Sequence, residues 1–391
     1  MKRFLLYLLC SALILCGCSQ EDVSPTPDDG QLSIVATVFP AYDFARSVAG
    51  EHADVRMLLP PGMESHSYEP TPADILAVQN CDLFIYLGGE SDAWVDTILS
   101  AIEPQGEILR MVDCVELLEE AHTEGMQMDP GHDHSHEGHD HGEDELCPEE
   151  DPHLHSEAEE ALLHDEHDHE EHSEEVHSDH VHESDNHLKL GSVVGMDEHV
   201  WTSPRNAADI TLAIGLHLAE LDSTNAETYL SNAEAYAAQI DSLDLEFEAF
   251  FESLPHRTIV FGDRFPLLYF ADRYNLDYYA AFPGCGTQTE PSAATIAFLT
   301  EKVRNENIPT IWYIEFSNHL VADSIAEATE RQTAMFHTCH NVTREEMDGG
   351  ATYLSLMQQN LETLHAKFHT PMLSQRMKIQ RLYWTSYQFG Q

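Results

Sequence analysis

Two histidines lie in short segments whose residue types are suited to binding a metal. His66 falls within residues 60–70, which read PPGMESHSYEP, and His199 falls within residues 196–204, which read MDEHVWTSP. The first segment is predicted to leave a strand and enter a helix, and ligands commonly bind at such strand ends. Imidazole nitrogen is a common ligand for zinc and related cations. Both histidines are candidate ligands, although a capping or surface role is the simpler alternative for either one alone.

Acidic residues flank these segments. Asp197 and Glu198 precede His199, and Glu64 precedes the other histidine by two residues. A carboxylate that accepts a hydrogen bond from one imidazole nitrogen fixes the tautomer and makes the other nitrogen a better donor to a metal. We expect these three acids to be outer partners of the site. Glu290 is a fourth such candidate, with capping of the following helix as an equal alternative.

A long internal segment combines histidine with acidic residues. Residues 116–187 hold 16 His and 27 Asp or Glu among 72 residues, with no Lys or Arg. Too few apolar groups are available to offset the chain entropy, so we expect a disordered insertion. Short repeats such as His132-Asp133-His134 predict many weak, exchanging metal sites without a fixed geometry. The segment is expected to concentrate metal ions, with a solvated spacer as the alternative.

The overall charge restricts the class of partner. The 391 residues carry 70 acids against 18 Lys and Arg, which gives a formal net charge of −52. Nucleic acid and anionic membrane surfaces would repel such a chain, whereas a cation would be attracted. The hydrophobic content of 42% nevertheless suffices for two domains, each with a core.

Outside the acidic segment, short β-branched runs alternate with amphipathic stretches. This alternation predicts an α/β fold of two similar lobes, each a mostly parallel sheet flanked by helices. The predicted divisions are an N-terminal lobe over 31–224, a linking helix over 225–254, a C-terminal lobe over 255–366 and a tail over 367–391. The predicted strands cover 32–38, 55–59, 83–87 and 108–112, then 258–261, 277–281, 310–315 and 334–336. Two such lobes imply a cleft in which a small ligand binds.

The N-terminus has the composition of an export signal. Residues 1–18 combine a cationic start with a short apolar run and end in Cys16-Gly17-Cys18. That ending resembles the lipobox of bacterial lipoproteins, which implies lipidation of Cys18. Residues 19–30 are predicted to be a solvated tether. The expected location is the outer face of the cell membrane, and a plain signal peptide or an anchor helix is the alternative.

Five cysteines follow the export signal, so at most two disulfides can form in an oxidising compartment. Cys285 and Cys339, both in the C-terminal half, are the predicted pair. No CxxC pair is present, which argues against a thiolate zinc site.

Residues 31 to about 364 resemble the zinc and manganese substrate-binding lipoproteins of ABC transporters, the metal-binding solute-binding family. The resemblance rests on the segments 60–70 and 196–204, the acidic histidine insertion before the latter, the order of the lobes and the long linking helix. It implies capture of a metal between the lobes and delivery to a membrane permease, without catalysis. We expect a monomer.

The resemblance also implies two ligands in the C-terminal lobe. The third ligand of the family, His in zinc members and Glu in manganese members, opens the helix after the first strand, where this sequence has Gly262-Asp263-Arg264. Asp263 is the nearest metal-competent residue if one insertion is allowed; capping that helix or pairing with Arg264 is its alternative. The fourth place, four residues after Glu315, holds His319.

The predicted set of His66, His199, Asp263 and His319 offers three imidazoles and one carboxylate. This set suits tetrahedral zinc better than the oxygen-rich sites of calcium, magnesium or manganese. Manganese or iron uptake is the first alternative function. A zinc hydrolase with an open coordination position is the second, and an extracellular metal buffer or adhesin is the third.

Overall fold

Two parallel four-stranded sheets underlie the computed structural model, which describes residues 31–65, 68–120, 195–284 and 291–368. The N-terminal sheet consists of β1 (Leu32–Ala36), β2 (Ala53–Met57), β3 (Leu83–Tyr86) and β4 (Glu107–Arg110). The C-terminal sheet consists of β5 (Thr258–Phe261), β6 (Asp277–Ala280), β7 (Thr310–Ile314) and β8 (Gln332–Phe336). The spatial orders are β2-β1-β3-β4 and β6-β5-β7-β8, so the second sheet repeats the first. The predicted fold class is confirmed.

Helices connect and cover the strands. They are α1 (Phe39–Ala49), α2 (Pro72–Asn80), α3 (Ala93–Ala101), α4 (Pro204–Leu221), α5 (Ala226–Glu252), α6 (Leu268–Arg273), α7 (Ala293–Asn305), α8 (Leu320–Thr329), α9 (Arg344–Asp348) and α10 (353–368). The Thr71-Pro72 pair predicts the start of α2, and this start is confirmed: the Thr71 hydroxyl accepts the Asp74 N–H while the Asp74 carboxylate accepts the Thr71 N–H. The sequence predicts that α6 starts at Phe265, but it starts at Leu268. Pro266 explains this, since it disfavours helical backbone at the residue before it.

Helix α5 packs against both halves of the fold. Its 27 residues extend about 40 Å at 1.5 Å per residue. Tyr229 and Ile240 belong to the same buried apolar cluster as the N-terminal strands. Further along α5, the Phe247 ring lies 5.2 Å from the ring of Phe270 in the C-terminal half. The helix, predicted from the sequence as a linking helix over 225–254, therefore contributes to one buried apolar cluster with residues of both halves.

Several predicted features fall outside the described residues: the export signal and tether with Cys18, residues 121–194 of the acidic histidine region, His66, Cys285, Glu290 and most of the tail. Within the described ranges, no helix combines the length and apolarity needed to cross a bilayer. Cys339 is buried, and Cys285, its predicted disulfide partner, lies outside the described residues, so this pairing stays a prediction. Burial also raises the pKa of the Cys81 thiol to about 11.

Candidate metal site

A cavity of about 60 Å³ lies at the carboxyl ends of strands from the C-terminal sheet and faces the segment that follows β2. It is far smaller than the roughly 300–1,000 Å³ pockets that hold organic ligands. An ion with a few coordinating groups is the class of ligand that fits. The lining residues are 63–65, His199, Arg264, Pro266, Gly284, 314–316, Thr338, His340 and Asn341.

His199 enters this pocket from a buried turn that precedes α4. Its Nδ1 lies 3.1 Å from Asp197 Oδ1, and the same oxygen accepts the His199 backbone N–H at 2.8 Å. Both side chains are almost completely buried. With Nδ1 directed at a carboxylate, Nε2 is the nitrogen through which this imidazole would bind a metal. Asp197 thus contacts the imidazole, and its role as an outer partner of a metal site stays a prediction.

His340 is the second imidazole in the pocket, and sequence reasoning missed it. It follows β8 in the segment 337–341, and its ring centre lies 6.0 Å from that of His199 at an interplanar angle of 78°. Two imidazoles bound to one tetrahedral zinc at about 2.0 Å have ring centres roughly 5 Å apart. A shift of about 1 Å would therefore let both rings reach the same ion. Trp201 packs against both rings and donates its Nε1–H to the Thr338 carbonyl at 2.9 Å.

The signal that could have found His340 was its position. The sequence HTCHN directly follows the fourth strand of the second lobe, at the same edge of the sheet as the other strand-end segments. His337, the other histidine of HTCHN, is buried and has a different role. Its Nδ1 accepts the Cys339 N–H at 3.0 Å, and its Nε2 lies 3.7 Å from Glu346 Oε1. Contact with His337 lowers the pKa of Glu346 to about 2.

Two carboxylates also line the pocket. The Glu315 oxygens accept the Thr338 N–H at 2.7 Å and the Thr338 hydroxyl at 2.5 Å, which fixes this buried side chain at the end of β7. Glu64 is the second, and its carboxylate lies 3.9 Å from the Arg264 guanidinium, which also lines the pocket. Either carboxylate supplies oxygen ligands that complement imidazole in a zinc site.

Asp263 does not line the pocket. Its Oδ1 accepts the Arg264 backbone N–H at 2.8 Å, and its Oδ2 accepts the Ile314 N–H at 3.3 Å, so both oxygens serve the backbone. The preceding residue, Gly262, has no space for a side chain, since a Cβ there would overlap the backbone of Ala322. Position 262, a neighbour of Asp263 at the start of this segment, therefore cannot supply a metal ligand from a side chain.

His319 also lies apart from the lining residues. It adopts a left-handed conformation at φ 47° before α8, and its half-exposed side chain packs on the ring of Tyr313. Its Nδ1 lies 2.8 Å from Asp323 Oδ2. His66 is outside the described residues, but Ser65, its neighbour in sequence, lines the pocket. Among the residues that the structure describes, no group of three or more His, Cys, Asp or Glu is arranged to hold an ion.

Residues 34–367 match the model of the family described as ZnuA, zinc-uptake complex component A, periplasmic. The chain belongs to this family. This ZnuA-family chain is 28% identical over 366 residues to the zinc-binding lipoprotein AdcA of Streptococcus pneumoniae, covering 93% of the chain and 60% of AdcA. It therefore spans less than two thirds of that relative's length. It is 27% identical to the high-affinity zinc uptake system protein ZnuA of Bacillus subtilis, covering 92% of the chain and 95% of that protein.

Solved structures show the same fold as this ZnuA-family chain. The Zn(II)-bound ZnuA-like domain of Streptococcus pneumoniae AdcA superposes with a TM-score of 0.60 at 24% identity, over 86% of this chain and 99% of that one. The metal-dependent lipoprotein YcdH of Bacillus subtilis gives a TM-score of 0.61 at 22% identity, with the same coverages. At these identities the likeness establishes the two-lobe architecture.

A buried carboxyl in the turn after β3 leads to a prediction about the pH dependence of stability. Asp92 is completely buried; its Oδ2 accepts the Leu87 N–H at 2.7 Å, whereas its Oδ1 has no hydrogen-bond partner among the described residues. Burial is the main cause that raises the Asp92 pKa to about 7. Since an unfolded Asp titrates near 3.9, the folded chain keeps a proton between about pH 4 and 7 that the unfolded chain releases. The unfolding free energy of the wild type should therefore fall as the pH rises through this window.

The variant Asp92→Asn removes this titration. Relative to wild type, we expect its unfolding free energy to increase by about 1 kcal/mol per pH unit between pH 5 and 7 and to level off above pH 7. Urea denaturation of metal-free protein at pH 5, 6, 7 and 8 measures the difference. Asp96→Asn, at an exposed position of α3, is the matched control without this slope. A pH-independent difference for Asp92→Asn would contradict the prediction.

Proposed function

We propose that this chain is the extracytoplasmic metal-capturing component of a zinc-uptake transporter: it binds one Zn²⁺ in the pocket and passes it to an ABC-type permease without catalysing a reaction. The observation that supports this most is the pair of imidazoles, His199 and His340, in a cavity of ionic size, with Asp197 on the far nitrogen of His199. Membership of the zinc-uptake family favours the same conclusion.

The proposed ligands are His66, His199 and His340 with one carboxylate. Glu315 is the preferred carboxylate because it is buried in the pocket and fixed by Thr338, and Glu64 is the alternative. Three imidazoles and a carboxylate complete a tetrahedral zinc shell. A full shell leaves no coordination position for an activated water, which distinguishes this site from that of a zinc hydrolase.

The acidic histidine segment and the N-terminus complete the proposal. Residues 116–187 would gather zinc loosely and raise its concentration near the pocket. Lipidated Cys18 would attach the protein, as a monomer, to the outer face of the membrane. Zinc release to the permease would follow from movement of the C-terminal lobe, because His340 and Glu315 belong to that lobe whereas His199 adjoins the N-terminal one.

The test uses a variant in which residues 121–194 are replaced by a short glycine linker. The structure allows this replacement, because the Glu120 N–H donates to the Gly195 carbonyl at 2.9 Å and the two ends of the segment therefore adjoin. Calorimetric titration should find one tight zinc per chain and much weaker manganese binding. Manganese binding as tight as zinc would contradict the zinc assignment and favour manganese uptake.

The same titration has a predicted pH dependence. Imidazoles must lose their protons to bind zinc, and an unperturbed His titrates near 6.5. Two or more such ligands should weaken zinc binding by about 100-fold or more between pH 7.5 and 5.5. A chelator-competition assay at both values provides the measurement, with the chelator's own pH dependence determined separately. Affinity that is unchanged at pH 5.5 would exclude a site built on imidazoles.

A further inference from the structure

The turn after β3 connects the segment that contains Ser65 to the segment that carries His199. At its centre, the backbone N–H of Ser91 donates to both carboxylate oxygens of Glu198, at 3.0 and 3.2 Å. The backbone carbonyl of the same residue accepts the Ser65 hydroxyl at 3.1 Å. Ser65, Ser91 and Glu198 are each at least 97% buried. One peptide segment thus holds two distant parts of the chain, 26 residues before it and 107 residues after it.

The contact between Glu198 and the turn requires a glycine at position 89. A Cβ on Gly89 would overlap both Oε2 and Cβ of Glu198, so only glycine lets the carboxylate reach the turn. Asp197 contacts the imidazole of His199 through Nδ1. The sequence predicts that both acids act on the imidazole; in the structure Asp197 contacts the imidazole and Glu198 accepts the Ser91 N–H.

This arrangement matters for the pocket because both ends of the bridge adjoin it. Ser65 lines the pocket itself, and Glu198 immediately precedes His199, which also lines it. Hydrogen bonds from a backbone N–H to a buried carboxylate are among the stronger ones in proteins. Outer contacts of this kind fix the orientation of metal ligands and typically change metal affinity when removed.

We infer that Glu198 and Gly89 are positioning residues of the metal site, and that the bridge Ser65–Ser91–Glu198 sets the distance between the two pocket segments of the N-terminal lobe. This inference rests on the proposed zinc-binding function. The bridge pre-organises the pocket, so that zinc binding does not have to order these segments.

Two variants separate the bridge from the charge of Glu198. Glu198→Gln removes the charge but keeps an oxygen that accepts the Ser91 N–H, whereas Gly89→Ala keeps the charge and displaces the carboxylate from the turn. We expect Gly89→Ala and Glu198→Ala to weaken zinc binding by about 10–100-fold, and Glu198→Gln by less than about 5-fold. Ser65→Ala, which removes one hydrogen bond, should weaken it by about 3–10-fold.

The matched control is Asp82→Ala. Asp82 also accepts a backbone N–H, that of Ser33 at 2.7 Å, in the same lobe but away from the pocket lining. This control should lower the unfolding temperature without changing zinc affinity. The Co²⁺-loaded proteins give a second readout, because the visible absorption of bound cobalt reports ligand geometry: it should change in Gly89→Ala and stay unchanged in Asp82→Ala.

The experiment uses the full chain, and its outcomes separate this inference from the proposed function. Failure of the wild type to bind zinc tightly would contradict the function itself. Tight wild-type binding with unchanged affinity in folded Gly89→Ala or Glu198→Ala would overturn the positioning role, as would a loss in Glu198→Gln equal to that in Glu198→Ala. If neither Gly89→Ala nor Glu198→Ala folds, Ser65→Ala decides: unchanged affinity overturns the inference, and a loss with an unchanged unfolding temperature supports it.

Discussion

Replacing His340 by alanine is expected to weaken zinc binding by more than about 100-fold, beyond the 10–100-fold loss that follows removal of an outer partner. The reason is geometric: His340 lines the same small cavity as His199, and their ring centres are 6.0 Å apart. His199→Ala should have an effect of the same size. Chelator competition on the variant lacking residues 121–194 measures both losses without interference from the histidines of the acidic segment.

His319→Ala is the matched control for this prediction. His319 also follows a strand of the C-terminal sheet, but its ring packs on Tyr313 and its Nδ1 contacts Asp323. We expect its replacement to change zinc affinity by less than about threefold, in keeping with an exposed residue away from the site. A large loss in His319→Ala with little change in His340→Ala would restore the ligand set predicted from the sequence.

Replacing Asp43 by alanine is expected to lower the unfolding free energy by about 3–5 kcal/mol, because it removes the buried member of a partly exposed ion pair together with two further hydrogen bonds. Asp43 is completely buried in α1. Its carboxylate accepts bonds from the Arg46 guanidinium at 2.8 Å, the Tyr236 hydroxyl of α5 at 2.6 Å and the Tyr353 N–H of α10 at 2.9 Å. Its loss leaves three donors from three helices without their acceptor.

Smaller changes at the same cluster provide the controls. Tyr236→Phe removes one hydrogen bond and should cost about 1–2 kcal/mol. Asp43→Asn keeps an acceptor oxygen and should cost less than Asp43→Ala. Urea denaturation of the metal-free protein gives the three values, and a loss below about 1 kcal/mol for Asp43→Ala would contradict the role of this residue as a junction between the helices.

The order of strands and helices was predictable because their signals are local. Alternating β-branched runs gave the eight strands to within a few residues, and the Thr71-Pro72 pair gave the start of α2. The exception, α6, begins three residues later than predicted because of Pro266. The partnership of His199 with Asp197 was also accessible, since a carboxylate two residues away reaches the same imidazole through a local turn.

Which strand-end residues enter the pocket could not be predicted from the sequence. Asp263, His319 and His340 all follow strands of one sheet, yet only His340 lines the cavity. The Asp263 carboxylate accepts two backbone N–H groups. His319 has a left-handed backbone conformation, and its side chain contacts Asp323. The left-handed backbone at His319 and the approach of the Ile314 N–H to Asp263 have no signature in residue types or spacing.

The sequence by itself determined the two-lobe α/β architecture, the acidic histidine segment and the class of ligand, because periodicity, composition and charge are properties of the chain alone. Only the tertiary structure decided that His340 accompanies His199 and that Glu198 accepts the N–H of a turn 107 residues earlier. These are contacts between segments far apart in sequence. They exist only once the lobes have folded and the packing of Gly89 and Trp201 has fixed where each segment lies.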